Sequence, residues 1–526
     1  MNWTAPLAPF AAACRSAGLD LGAADAAALA PAVSARLAPG DWGTAAKLAR
    51  ENGLRWCALW AQEEAGGHEV CVALETGGRH LVLRTALPNG TALASHAPHF
   101  PAADRPERHA HDLLGVAFAD APDTRRWTRH QAWTEAEFPL RASFPLAPAR
   151  PPTDGDDSYP FHVAHGPGVV EIPVGPVHAG IIEPGHFRFQ AVGETVLNLE
   201  QRLGYVHKGI EKLAVGRDAA GLARLAGRVS GDSTVGHAWA ACQAMERARG
   251  VAVPQRALWL RALLAERERV ANHLGDIGAI CNDVGFAFAH SQLGRLREAW
   301  LRENAEAFGH RLLMDGIIPG GVARDLDPDL APPLADRAGR LAAEVADLIT
   351  TLEGSESLED RLMTTGRLLP EVAGQLGVVG YVGRASGQTF DVRRDAPYAP
   401  YDALEVRVPG YRAGDVAARA KVRADEIAAS LGLICRLLVT LPAGPVCATW
   451  PASHAAGEGL GCVEGWRGEI LTYVRFDRGG RVARFFPRDP SWLTWPALEL
   501  LLQDNIVPDF PVCNKSVNGS YSGQDL

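Results

Sequence analysis

The segment PQRALWLRALLAERERVANHLGDIGAI, residues 254–280, decides the architecture. Its apolar residues have helical spacing, and Pro254 stands where a first turn accepts proline. Three more stretches read the same way: SQLGRLREAWLRENAEAFGHRLLM (291–314), PPLADRAGRLAAEVADLITTLEG (332–354) and DVAARAKVRADEIAASLGLICRLLVTL (415–441). Their Arg/Glu faces are expected to be solvated or interfacial. Strand character belongs to VVEIPVGPVHAGIIEPGHFRFQAV (169–192), an apparent hairpin, and to GEILTYVRFDRGGRVARFFPRD (468–489), where Arg-Gly-Gly marks a turn. Residues 161–526 therefore predict a helical bundle with a small β-sheet.

Toward the N-terminus the Pro- and Asp-rich run LAPARPPTDGDDSYP (146–160) has the composition of a linker. Before it, residues 1–145 read as a small α/β domain. DWGTAAKLAREN (41–52) and ADRPERHAHDLLG (103–115) are helical, while RWCALWAQEE (55–64) and HEVCVALETGGRHLVLRTAL (68–87) are strands with Gly-containing turns. The class is α+β, and nothing in the first domain has catalytic spacing.

Composition sets outer limits. A chain of 526 residues, 47% hydrophobic and 21% charged, can bury two or more cores. A net charge of -9 gives no electrostatic footprint for nucleic acid. MNWTAPLAPFAAACRSAGLD has no positively charged leader region, and no unbroken apolar run reaches the ~20 residues of a membrane span, so a cytoplasmic protein is expected. The cysteines (14, 57, 71, 242, 281, 435, 447, 462 and 513) form no CxxC pair, so neither zinc nor an iron–sulfur cluster has a local ligand set. No GxGxxG follows a strand, which leaves a nicotinamide site unsupported.

GYVHKGIEKLA (204–214), GYVGRASGQTFDVRRDAPYAPYD (380–402) and VPDFPVCNKSVNGSYSGQDL (507–526) resemble the large subunit of membrane-bound, energy-converting [NiFe]-hydrogenases. One step further away they are similar to the large quinone-module subunit of respiratory complex I. ERHAHDLLGVAFADAPDTRRWTRHQAW (107–133) resembles complex I's other hydrophilic docking subunit, which formate hydrogenlyase-type large subunits carry as an N-terminal fusion.

That resemblance gives RVSGDSTVGH (228–237) its meaning. In the hydrogenases a Cys-Gly-x-Cys motif and a C-terminal Cys-x-x-Cys motif supply four thiolates to nickel, whose redox cycle needs soft, electron-rich sulfur. The matching positions here are Ser230, Ser233, Ser520 and Gly523. A hydroxyl is a hard ligand and glycine has no side chain, so the expectation is no nickel–iron centre and no other cofactor on this chain. If Leu526 is the end of the chain as made, no extension for a maturation protease is expected; a processed form would leave that point open.

The resemblance assigns further roles. His178 and His186 fall in the hairpin that contacts a quinone headgroup in complex I, but the partnering tyrosine position falls at Gly231. Glu211 matches a proton-relay carboxylate with a raised pKa, unless Lys208 makes it half of an ion pair. Arg384 and Asp391, with Arg393, match a frame that lines the cavity and meets a partner subunit. Glu464 and Arg467 match the family's Glu-Ala-Pro-Arg-Gly-Glu, with Trp466 replacing the proline. Asp232 is a new acid, and His237 is a ligand, a relay or a satisfied structural histidine.

The implied setting is a membrane-associated redox complex on the cytoplasmic face of the inner membrane. Its other members would be a small Fe–S cluster subunit, a ferredoxin-like Fe–S subunit, and antiporter-like and anchor membrane subunits, with a quinone as one conceivable acceptor. The alternative is a scaffold without chemistry. A working hydrogenase ranks last, since its donors would have to be Ser230, Asp232, Ser233, His237 and Cys513.

Overall fold

The 254–280 segment forms the helix Gln255–Asp283, preceded by Pro254 in an extended conformation. The computed structural model describes residues 3, 5–23, 29–130, 133–147, 158–179, 182–452 and 455–526. Helices Ala287–Phe308 and Val416–Val439 pack along this central rod, and Ala331–Glu353 packs on Val416–Val439. The segment predicted to run to residue 314 stops at Phe308, because Gly309 takes a left-handed φ of 84°.

Of the two settings expected for the Arg/Glu face of the central helix, solvated or interfacial, the second is observed. Arg261, Glu266, Arg267 and Arg269 are buried, since neighbours surround the helix and their side chains neutralise it. Glu246 pairs with Arg261, Arg393 with Glu266, and Glu303 with Arg267. Buried charge survives where every ion has a partner.

The N-terminal residues build a five-stranded sheet in the order Gly22–Ala23, Val33–Arg36, Arg79–Pro88, Gly67–Thr76, Arg55–Glu64. Val33–Arg36 runs parallel to Arg79–Pro88, and the other neighbours are antiparallel. The 169–192 hairpin is present as Val169–Val174 and His186–Val192, extended by Thr195–Arg202 into three strands. Gly457–Gly465, Gly468–Phe476 and Val482–Arg488 form a second three-stranded antiparallel sheet.

This C-terminal sheet packs against the N-terminal one. Trp60 meets Tyr473 and Phe486 with ring centroids 5.1 and 5.8 Å apart. Cys57, Trp60 and Cys71 therefore belong to the large domain's core, while Trp56, Leu59 and Val70 face the small domain's own. Residues 148–157 of the expected linker lie outside the described residues.

Candidate functional site

Three chain segments converge where the resemblance places nickel. The first is a short 3-10 turn, Gly231–Ser233, leading into the helix Thr234–Arg249. The second is the tight turn of Trp466 and Arg467 between two strands of the C-terminal sheet. The third is the tail, where Asn518 takes a left-handed φ of 43° and Ser520 caps the last helix, Tyr521–Asp525.

Their side chains make one polar cluster. Arg467 donates to both Asp232 oxygens at 2.7 Å and to Ser233 Oγ at 3.1 Å. Ser230 Oγ donates to Asp232 Oδ1 at 2.8 Å and lies 2.8 Å from Ser520 Oγ. Trp466 Nε1 and Asn272 Nδ2 each donate to the Asp232 carbonyl at 2.8 Å. The Arg467 guanidinium, the leading favourable influence, holds the Asp232 carboxyl below its ordinary range against the cost of burial. The Asp232 side chain keeps 39% of its exposure, so the cluster opens to the surface.

Behind it His237 Nε2 and Asp489 Oδ2 are 2.8 Å apart, both fully buried. Burial works against the Asp489 anion, but the His237 contact and the Arg467 charge win and bring it down to about 2. A side-chain carbon built on Gly523 would lie 2.6 Å from Asp489 Cγ and 2.7 Å from its Oδ2. Asp489 thus fills the room beside the fourth matched position.

One neighbour escaped the sequence reading. Glu268 accepts from the N–H groups of Val235 and Gly236, at 2.7 and 3.1 Å, in the first turn of the Thr234–Arg249 helix. Burial, reinforced by Asp232, pushes its carboxyl up to about 8 despite those donors. Within the ERER run it looked like one more surface acid, and only helix packing distinguishes it.

Glu211 departs from expectation. It reaches neither the cluster nor Lys208, whose Nζ donates to the Val229 carbonyl at 2.8 Å. Instead it sits 2.8 Å from His109 Nε2 of the first domain and 2.6 Å from Arg484. Burial would raise its pKa, but the Arg484 charge and the His109 contact bring it down to about 2, the opposite direction from the raised value expected.

Arg384 and Asp391, of which cavity lining and partner contact had been expected, lie apart together with Glu464. Arg384 reaches Glu426 at 2.8 Å, Glu464 at 3.0 Å and Asp391 at 3.3 Å, and none of the four is more than 1% exposed. Arg393 closes the network, 2.7 Å from Asp391 and 2.9 Å from Glu266. Arg393 holds the Asp391 carboxyl down, while burial and the Asp391 charge raise that of Glu464.

The hairpin histidines are engaged locally. His178 Nε2 is 2.9 Å from the Gly185 carbonyl, and His186 Nδ1 is 3.3 Å from that of Gly175. The hairpin reaches the tail through other residues, with Glu183 accepting from the Ser522 N–H at 3.1 Å. Cys513 is buried against Gly366 and Arg419 and contributes nothing to the cluster. Among the described residues no helix is long and apolar enough to cross a membrane.

Comparison with known proteins bears on this arrangement. Residues 283–455 match the family described as "Respiratory-chain NADH dehydrogenase, 49 Kd subunit", residues 35–150 the corresponding "30 Kd subunit", and residues 208–275 "Nickel-dependent hydrogenase". Formate hydrogenlyase subunit 5 of Escherichia coli is 33% identical over 434 residues, 82% of this chain and 76% of that one. The carbon monoxide-induced hydrogenase of Rhodospirillum rubrum is 33% identical over 352 residues, covering 67% of this chain and 98% of its own length. A chain of the archaeal membrane-bound sulfane sulfur reductase superposes with a TM-score of 0.64 at 28% identity, covering 68% of this chain and 99% of that one.

Proposed function

The chain belongs to the family of hydrogenase-like large subunits that includes formate hydrogenlyase subunit 5 and the 49 Kd subunit of respiratory NADH dehydrogenase, and from that premise we propose that it serves a membrane-associated redox complex with no nickel–iron pair in its pocket. The observation that carries the reading is Asp489 standing where a thiolate on residue 523 would project. The remaining matched positions offer hydroxyls already bonded to one another and to Asp232. Such oxygen donors suit hard ions better than low-valent nickel and iron.

What the rebuilt pocket can do is hold protons. Glu268 is the buried acid that keeps its proton up to about 8, and near it Asp232 is an anion open to the surface. Electron or proton transfer at this cavity is then coupled to ion translocation by membrane partners. Those partners are a small Fe–S subunit, a ferredoxin-like Fe–S subunit, and antiporter-like and anchor subunits, on the cytoplasmic face of the membrane. The acceptor is a quinone or another small oxidant. The solved relative belongs to an archaeal respiratory membrane complex, which supports the membrane setting.

One observation favours a second reading, a scaffold without chemistry. The Arg384 network satisfies its charges internally and faces no opening, as a structural network does. Metal analysis of the subunit purified with its iron–sulfur partner tests the main reading. Iron without stoichiometric nickel is the expected result, and about one nickel per chain would overturn it. If Glu268→Gln then left acceptor turnover of the intact complex unchanged, the scaffold reading would replace the proton-holding one.

A further inference from the structure

A second polar cluster lies between the two stacked sheets, away from Asp232 and Arg467. Cys57 comes from the strand Arg55–Glu64, His80 from Arg79–Pro88, Cys462 from Gly457–Gly465 and Glu469 from Gly468–Phe476. One ligand atom each from Cys57, His80 and Glu469 lies within 4.8 Å of the others, and all three residues are buried. Cys462 Sγ is 3.8 Å from His80 Nε2 and 3.5 Å from Glu469 Oε1, and those two atoms are 2.9 Å apart.

We propose that Cys57, His80, Cys462 and Glu469 form a structural zinc site that clips the N-terminal sheet to the C-terminal one.

The Cys462 sulfur edges, 3.8 Å to His80 and 3.5 Å to Glu469, are near those of a tetrahedral zinc site, while the His80–Glu469 edge would open from its hydrogen-bonded 2.9 Å. With Zn–S near 2.3 Å and Zn–N or Zn–O near 2.0 Å, ligand edges are about 3.5 Å from sulfur to nitrogen or oxygen and about 3.3 Å from nitrogen to oxygen. Two thiolates, an imidazole and a carboxylate suit zinc, and four protein donors leave no open position, as in sites that hold structure together. The surroundings already fix the carboxylate: Arg55 grips both Glu469 oxygens at 2.9 and 3.0 Å, and Arg488 takes Oε2.

The two guanidiniums that grip Glu469 are matched by two carboxylates. Glu75 lies 3.0 Å from Arg55, so Arg55, Arg488, Glu75 and Glu469 sum to zero while both thiols carry protons. A divalent ion that displaces those two protons leaves the sum at zero. A route in exists as well. A cavity of about 350 Å³, bordered by Gly78, Arg247 and Tyr398, is lined by His80 and Cys462 themselves.

The test uses the full chain with its partner, dialysed and then assayed for zinc and, after exchange, for cobalt absorption. About one zinc per chain is expected, with Cys57→Ser and Cys462→Ser each retaining less than about a tenth of it. Cys513→Ser, outside the cluster, is expected to keep it. Cobalt bound by wild type is expected to show thiolate charge-transfer absorption. Zinc unchanged in both cluster variants overturns the proposal. If those variants fail to fold, the wild-type cobalt spectrum decides, and native protein without a thiolate band overturns it. Nickel plays no part in this readout, so the site stands or falls separately from the pocket at Asp232.

Discussion

Asp489 lies directly over Gly523, so close that any side chain on the glycine would begin 2.6 Å from the Asp489 carboxyl carbon. The acid cannot swing aside freely. It is fully buried, bonded to His237 at 2.8 Å, and accepts from the Ser491 N–H at 2.8 Å. Gly523→Ala is therefore expected to destabilise the chain by about 1–3 kcal/mol, the usual range for overpacking. Urea unfolding measures this, and wild-type stability for the variant would mean that the space at position 523 is not filled as described.

Glu268 gives the pocket a pH signature. Its folded carboxyl holds a proton up to about 8, so between the ordinary carboxylate range and that value the folded state binds more protons than the unfolded one. Stability then falls as pH rises through this window. Glu268→Gln, which cannot ionise, is expected to flatten the slope. It should match wild type near pH 5 and exceed it by on the order of 1–3 kcal/mol near pH 8. Parallel pH–stability curves would contradict the assignment.

Arg384 holds three carboxylates at once, those of Glu426, Glu464 and Asp391. Arg384→Met would leave them facing one another without their shared cation, inside a fully buried region. Removing one side of such a network costs about 3–5 kcal/mol, and lysine cannot restore a forked guanidinium contact. Denaturation midpoints for Arg384→Met and Arg384→Lys are both expected to fall well below wild type.

The sequence made the helices and hairpins legible because their signals are local. Apolar spacing marked Gln255–Asp283, and Arg-Gly-Gly marked the turn between Gly468–Phe476 and Val482–Arg488. Local signals also misled. Spacing carried one predicted helix to Met314, though Gly309 ends it, and the ERER run left open whether its face was solvated or interfacial on a helix that other elements enclose. Motif alignment named Ser230, Ser233, Arg467 and Ser520, whose side chains meet in the fold. It could not show Asp489, which belongs to no motif, or the neighbours that fix the character of Glu211 and Glu268. Cys57 and Cys462 looked unrelated because only the stacking of two sheets brings both to the same His80–Glu469 pair.

The contact between Glu211 and the His109–Arg484 pair predicts an acid-sensitive join between the domains. His109 lies on the helix Asp104–Leu114 of the first domain, and Arg484 on the C-terminal sheet. The folded Glu211 carboxyl is depressed to about 2, so its stabilisation is complete above the ordinary carboxylate range and is lost as pH falls from there toward 2. Glu211→Gln is expected to cost roughly 3 kcal/mol at neutral pH. It should also make stability less steep in pH below about 5. Amide exchange in the helix Asp104–Leu114 should quicken in the variant, since the lost anion is the one His109 faces. A variant with unchanged neutral stability and an unchanged acid slope would show that Glu211 carries no folding role, and would reopen the relay role the sequence first suggested for it.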